Sequence, residues 1–240
     1  MGIHQTLIAG YPTSTPATST PTWTLVDSDF ASGSSSSTSV SNVQTGDFIY
    51  FTHASDFEFS IAPPSGFTEI HEEGDNGPSF HESYRIATTN EGTVSVTADS
   101  ESEASGLMVF RCSSGATTLQ PITGTGSASG FAEASSGSPS VPSSNTDNNG
   151  TAEAYSLCIS SAYIDDDIIT SCTAPTGLTL VGFQGGSRSY FFSTQRCSLM
   201  VGYAVVASAG TTSPPGAGNS WTTDSNGDSW RSSAWYVRPS

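Results

Sequence analysis

Two short phrases constrain this chain more than any other feature. Residues 62–70 read APPSGFTEI and residues 174–181 read APTGLTLV. Each is a turn signal, a proline with a glycine two residues later, that runs into an alternating apolar segment. Further phrases pair off in the same order. Gly46 before FIYF matches Gly150 before AEAYSLC, and Ser83-Tyr84-Arg85-Ile86-Ala87 matches Gly202-Tyr203-Ala204-Val205-Val206. Val109-Phe110-Arg111 matches Tyr236-Val237-Arg238. The spacing between partners widens along the chain while their order holds, as loop insertions between matched strands would produce. This is the signature of an internal repeat.

No segment sustains a helical period, so the repeated unit reads as strands. A sheet of four or five strands with one apolar face cannot shield that face alone, whereas two such sheets close a common core. The expected fold is therefore all-β: a single β-sandwich, jelly-roll or immunoglobulin-like, of roughly eight to ten strands. Its two related halves, about 23–120 and 145–240, are joined by a polar linker within a domain spanning 23–240. Strand alternation assigns Phe48, Tyr50, Ile86, Val94, Val96, Met108, Phe110, Leu157, Ile159, Val205 and Trp235 to the core. ASGSSSSTSVSNV reads as a serine-rich linker, and SYRIATTNEGTVSVTAD as a hairpin.

Residues 1–22 stand apart. Ile3, Leu7, Ile8 and Tyr11 precede Pro12, Pro16 and Pro21, and prolines remove donors and exclude a helix or a central strand. The segment reads as an extended N-terminal arm that needs a partner surface; the same composition also suits an unattached tail.

Charge narrows the function. Six basic residues, all arginine, face 22 acidic ones, for a net charge of −16. Nucleic acid and anionic membranes both require a basic footprint, so neither is an expected partner. No apolar run approaches the length of a membrane span, and the first residues lack the basic and apolar regions of a secretory signal. Cys112, Cys158, Cys172 and Cys197 form no CxxC pair and are expected as free thiols.

No catalytic motif assembles: GxSxG, HExxH and the P-loop are all missing from the sequence. HEEGDNGPSFHE, holding His71 and His81, has metal-ligand residue types but reads more simply as a polar loop between strands. Asp165-Asp166-Asp167 and the stretch Asp224, Asn226, Asp228 are oxygen-rich enough for Ca²⁺, though the second lacks the downstream bidentate glutamate. The expected reading is no metal and no cofactor, with Asp224, Asn226 and Asp228 as weak calcium candidates. Trp221, Trp230 and Trp235 could stack on sugars, unless alternation with Val237 buries Trp235.

Several phrases together resemble a domain of tailed-phage virion proteins. They are Gly46-Asp47 leading an apolar strand, Pro64-Ser65-Gly66-Phe67, Tyr84-Arg85-Ile86-Ala87 followed by Glu91, and LMVFR ending at Arg111. Phe67 stands where that family carries tryptophan, and Cys112-Ser113 where it often has Gly-Val. The resemblance covers roughly residues 40–238 and implies a non-enzymatic virion component from head decoration proteins or tail appendages. Two functions follow as expectations. One is a capsid decoration or cement protein, attached to the major capsid protein or other virion proteins through Ile3, Leu7, Ile8 and Tyr11. As the class implies, it would be a homo-oligomer, a trimer, on the particle surface and in the host cytoplasm during assembly. The other is a carbohydrate- or receptor-binding module of a tail appendage. A chain that opens on a short arm and ends on a core strand favours the first.

Overall fold

The computed structural model describes residues 20–56, 62–74, 78–114, 119–121, 123–124, 126–127, 130–143, 152, 154–190, 193–224 and 229–239. The described residues contain strands and no helix. In chain order these are β1 (Trp23–Ser32), β2 (Ser37–Val43), β3 (Phe48–Ser55), β4 (Thr68–Glu73), β5 (Ser79–Ile86), β6 (Gly92–Thr97) and β7 (Ala104–Cys112). Four short strands follow: β8 (Leu119–Pro121), β9 (Thr123–Gly124), β10 (Gly126–Ser127) and β11 (Gly130–Ala134). Then come β12 (Leu157–Asp165), β13 (Cys172–Thr173), β14 (Thr179–Tyr190), β15 (Ser193–Val205), β16 (Thr222–Thr223) and β17 (Trp230–Pro239).

Two antiparallel sheets make an all-β sandwich. The first runs β1-β7-β3-β5-β4 and the second β11-β17-β12-β15-β14, with β8 beside β17. Inward residues alternate along the strands as the pleat requires. Phe48, Tyr50, Phe80, Met108 and Phe110 of the first sheet share one core cluster with Leu157, Ile159, Tyr163, Leu199, Val201 and Val237 of the second. Each outer face carries its own apolar cover. The ribbon β2-β6 lays Val40, Val94 and Val96 over Ile49, Phe51, Leu107 and Val109. On the second sheet, Trp221 and Ile169 cover Ala162, Ile164 and Met200.

Pairing register relates the sheets residue by residue. Phe48 stands opposite Ile86 and Phe110, and Leu157 stands opposite Val205 and Val237. Ile86 therefore occupies the place of Val205, and Phe110 that of Val237. The two proline turns are alike as well. Phe67 N–H donates to the Pro64 carbonyl at 3.0 Å, and Leu178 N–H to the Pro175 carbonyl at 3.0 Å. Gly66 and Gly177 adopt φ of 83° and 99°, which glycine tolerates without strain. One phrase pair does not coincide. Gly150 lies outside the described residues, and the register sets Gly46 against Tyr155. Both have positive φ, 88° and 64°, and their N–H groups donate to the carbonyls of Ala87 and Val206.

Other expectations are corrected. The serine-rich linker contains β2, because Thr38, Val40 and Val43 alternate inward among exposed serines. The expected hairpin does not form: β6 leaves the main sheet and pairs with β2, where Val94 and Val96 cover the outer face. The central polar connection contributes β11, which pairs with β17. Val205, at the end of β15, is 40% exposed, since alternation alone does not bury a residue at the rim. The short extra pairings raise the strand count above the eight to ten expected.

The sheets approach closely where β14 packs against β1 and β7. A Cβ at Gly182 would overlap the Phe30 ring, and one at Gly186 would overlap the Glu103 carbonyl. Glycine at these positions is thus a packing requirement.

Candidate functional site

The most concentrated polar chemistry lies between the sheets, on β5. Alternation turns Phe80, Glu82 and Tyr84 toward the second sheet and His81 and Ser83 away from it. Glu82 is fully buried. Its Oε1 accepts from Tyr50 Oη at 2.6 Å, Tyr163 Oη at 2.8 Å and Ser233 Oγ at 2.5 Å. Its Oε2 accepts from Trp235 Nε1. Ser161 Oγ lies 2.8 Å from Tyr50 Oη, and Thr52 Oγ1 lies 2.8 Å from Tyr163 Oη. Burial, then the neighbouring Glu82, pushes both phenols well above their ordinary range. Strands from both sheets thus converge on one carboxyl group, which neutral donors satisfy without an arginine. All of these groups are sealed from solvent, so the arrangement ties the sheets together and offers a dissolved substrate no access.

A second set lies on the outer face of the first sheet. His53 and His81 are buried with ring centroids 5.3 Å apart, and neither ring has a hydrogen-bond partner. Burial holds His53 well below the usual imidazole range and lowers His81 to about 4. The two ends of the stretch HEEGDNGPSFHE belong to the antiparallel pair β4 and β5, and the pleat divides its histidines. His71 pairs with Glu82 and packs near Trp235, whereas His81 faces outward, 3.7 Å from Glu69. Among the described residues no group of three or more His, Cys, Asp or Glu could hold a metal ion.

A third set closes one end of the sandwich. Asp56, just beyond β3, occupies the place that Asp165 has at the end of β12, and the two carboxyl groups are close neighbours. Asp56 N–H donates to Glu103 Oε2 at 2.6 Å, and Arg188 Nε lies 2.5 Å from Glu103 Oε1. Burial first, and then the neighbouring acids, raises Asp165 to about 7; burial also raises Glu103 to about 7.

The residues singled out from sequence fall into these surroundings as follows. Ile3, Leu7, Ile8 and Tyr11 lie outside the described residues, as do Asn226 and Asp228. Asp224 is committed to a turn: its carboxylate accepts from the N–H groups of Thr170 and Ser171 and from Thr170 Oγ1 at 2.5 Å. Trp221, Trp230 and Trp235 are all buried. All four cysteines are free thiols, with Cys158 and Cys197 fully buried.

The phrases Gly46-Asp47, Tyr84-Arg85 with Glu91, and LMVFR are joined by charge. Asp47 receives Arg111 Nε and Nη2, both at 2.8 Å, and Glu91 receives Arg85 at 2.6 and 2.5 Å. These pairs pin the loops at the end where β3 begins and β7 ends. Sequence reasoning missed Glu82, although one signal was available. Two-residue alternation in SFHESY puts a glutamate in line with Phe80 and Tyr84, and such a buried acid demands donors.

Fold and site define a two-sheet all-β protein in which the buried Glu82 network joins the sheets. Comparison with family models, with curated proteins and with solved structures finds no match to this chain.

Proposed function

We propose that this chain is a non-enzymatic structural component of a tailed-phage particle, a capsid decoration or cement protein. Its N-terminal segment attaches it to the major capsid protein or another virion protein. It acts as a homo-oligomer, a trimer, on the particle surface after assembly in the host cytoplasm. The observation that carries this reading is the inward commitment of the reactive groups. Glu82, His53, His81 and Glu103 are buried, and the buried tryptophans leave the sugar-stacking alternative without its platform. Attachment then rests on Ile3, Leu7, Ile8 and Tyr11. Burying an aliphatic side chain contributes about 1.5–3 kcal/mol at most, so several such segments around a symmetry axis give firm attachment.

Particles stripped of this protein and mixed with full-length chain or with residues 23–240 test the reading by co-sedimentation. Binding by the full chain alone is expected. Equal binding of both forms would remove the segment from the mechanism. Turnover of host polysaccharide, abolished by a single carboxylate substitution, would replace the structural role with an enzymatic one.

A further inference from the structure

The ribbon β2-β6 has two edges, and they are finished differently. On β2, the N–H groups of Ser39 and Ser41 point away from β6. They donate to Asp29 Oδ2 at 2.8 Å and Asp27 Oδ2 at 2.7 Å, carboxylates supplied by β1. Thr38 and Val40 must then form the hydrogen-bonded pairs with Val96 and Val94. The Ala98 N–H, which donates to Ser36 O at 2.8 Å, continues the same phase. By alternation, the N–H and C=O groups of Ser95 and Thr97 face the opposite edge, where β6 has no strand partner among the described residues.

That edge borders a cleft of about 480 Å³ lined by Pro64, Phe67, Arg85, Ser95 and Thr97. Arg85 is held over the Phe67 ring, 5.5 Å from its centroid, and is paired with Glu91. In the second sheet β16 pairs with β13, which ends two residues ahead of Pro175. The turn at Gly216 also packs against Thr176 and Gly177. Edges left open beside an apolar wall accept an added strand.

We infer that this edge is a strand-acceptor site and that its occupant is the chain's own N-terminal segment, residues 3–11, added to β6 across from Pro64 and Phe67. Three observations select that segment. Ile3, Leu7, Ala9 and Tyr11 fall on one face of a two-residue period, which matches the inward apolar face of β6. Residues 1–22 contain no acidic side chain, whereas the whole chain carries a net charge of −16. Finally, the chain enters β1 at the end where the acceptor strand begins. Thr22 is bonded to Ser113, Trp23 stands opposite Cys112, and β6 starts shortly after Ala87, whose carbonyl accepts from the Gly46 N–H at this end. From β1 to β5 is three strand spacings, about 15 Å. Eight residues, the number in 12–19, span about 25 Å when extended. The inference concerns the free chain and does not depend on the virion reading. It gives the segment a resting place before any partner is met.

Amide hydrogen exchange on the full-length chain tests it. Ser95 and Thr97 are expected to exchange at least ~10-fold more slowly than in an Ile3→Asp/Leu7→Asp variant, with Val94 and Val96 protected equally in both. Ser95→Pro removes the edge-facing donor and the Ser39–Ser95 hydroxyl contact but spares the backbone bonds to β2. In that variant the amides of residues 6–9 should lose protection. Rapid exchange at Ser95 and Thr97 in the unaltered chain would overturn the site. Protection that survives the double substitution would assign the edge to another segment and overturn the occupant. Protection that fades on dilution would mean a second copy supplies the strand, and would overturn the intrachain contact.

Discussion

Glu82 and Val201 occupy corresponding places on β5 and β15, yet their surroundings have opposite character. Around Glu82 stand Tyr50, Tyr163, Ser233 and Trp235, each donating to its carboxyl group. The register puts Ile159, Ala54, Gly106 and Met108 in the matching places near Val201. Of these, Ile159, Ala54 and Met108 belong with Val201 to the central apolar cluster. One strand order thus tolerates both a saturated polar junction and an apolar one. The lesson is that the frame itself does not require Glu82. Its network adds directional bonds that fix how the two sheets meet, whereas apolar packing on the other side supplies adhesion without direction.

This contrast can be broken from either side. The largest effect is expected for Val201→Glu, which buries a carboxyl group where no donors wait. A cost on the order of 5 kcal/mol, enough to unfold much of the population near neutral pH, should appear in denaturant titration. Glu82→Ala comes next. It takes the shared acceptor from four donors in the core and should cost on the order of 3–5 kcal/mol in the same measurement. Val201→Ala, which removes only methyl groups, should cost about 1–3 kcal/mol.

A smaller effect separates Glu82 from the acids at the end of the sandwich, which meet one another as well as Arg188. Asp165 and Glu103 are raised to about 7, so the folded chain keeps protons that the unfolded chain has released above about pH 4. Stability contributed by this end is present at low pH and is lost as pH rises through 7. Asp165→Asn should therefore stabilise the chain at pH 8 by about 1 kcal/mol, after allowance for solvent screening, with less gain near pH 5. His53 and His81 act in the opposite sense. Their lowered values make stability fall as pH drops below the ordinary imidazole value near 6.5.

Much of the frame was legible because a two-residue period and proline-glycine turns are local signals. The strands through Phe48, Ile86, Phe110, Leu157 and Trp235 follow from them. What stayed hidden depends on tertiary choices. Val94 and Val96 alternate just as a hairpin partner would, yet they cover the outer face, because burial there rewards the same pattern. β2 is concealed by serine, whose exposed face masks Thr38 and Val40. The place of Gly46 falls on Tyr155, a residue that adopts positive φ without being glycine. Glu82 looked like one more hairpin acid, since nothing local says that Ser233 and Trp235 arrive from far along the chain.

The most direct test of the central claim, that the Glu82 network is an addition to a frame that can do without it, removes the network as a unit. Glu82→Leu alone takes the shared acceptor from four donors, whereas Glu82→Leu with Tyr50→Phe, Tyr163→Phe and Ser233→Ala leaves Trp235 Nε1 and the hydroxyls of Ser161 and Thr52, whose phenol partners are gone. Urea unfolding of the two variants should show the quadruple substitution recovering more than half of the loss caused by Glu82→Leu, ending within about 1–3 kcal/mol of the unaltered chain. A quadruple variant no more stable than Glu82→Leu would contradict the claim, because the hydroxyl groups would then be supporting the frame independently of the carboxyl group they surround.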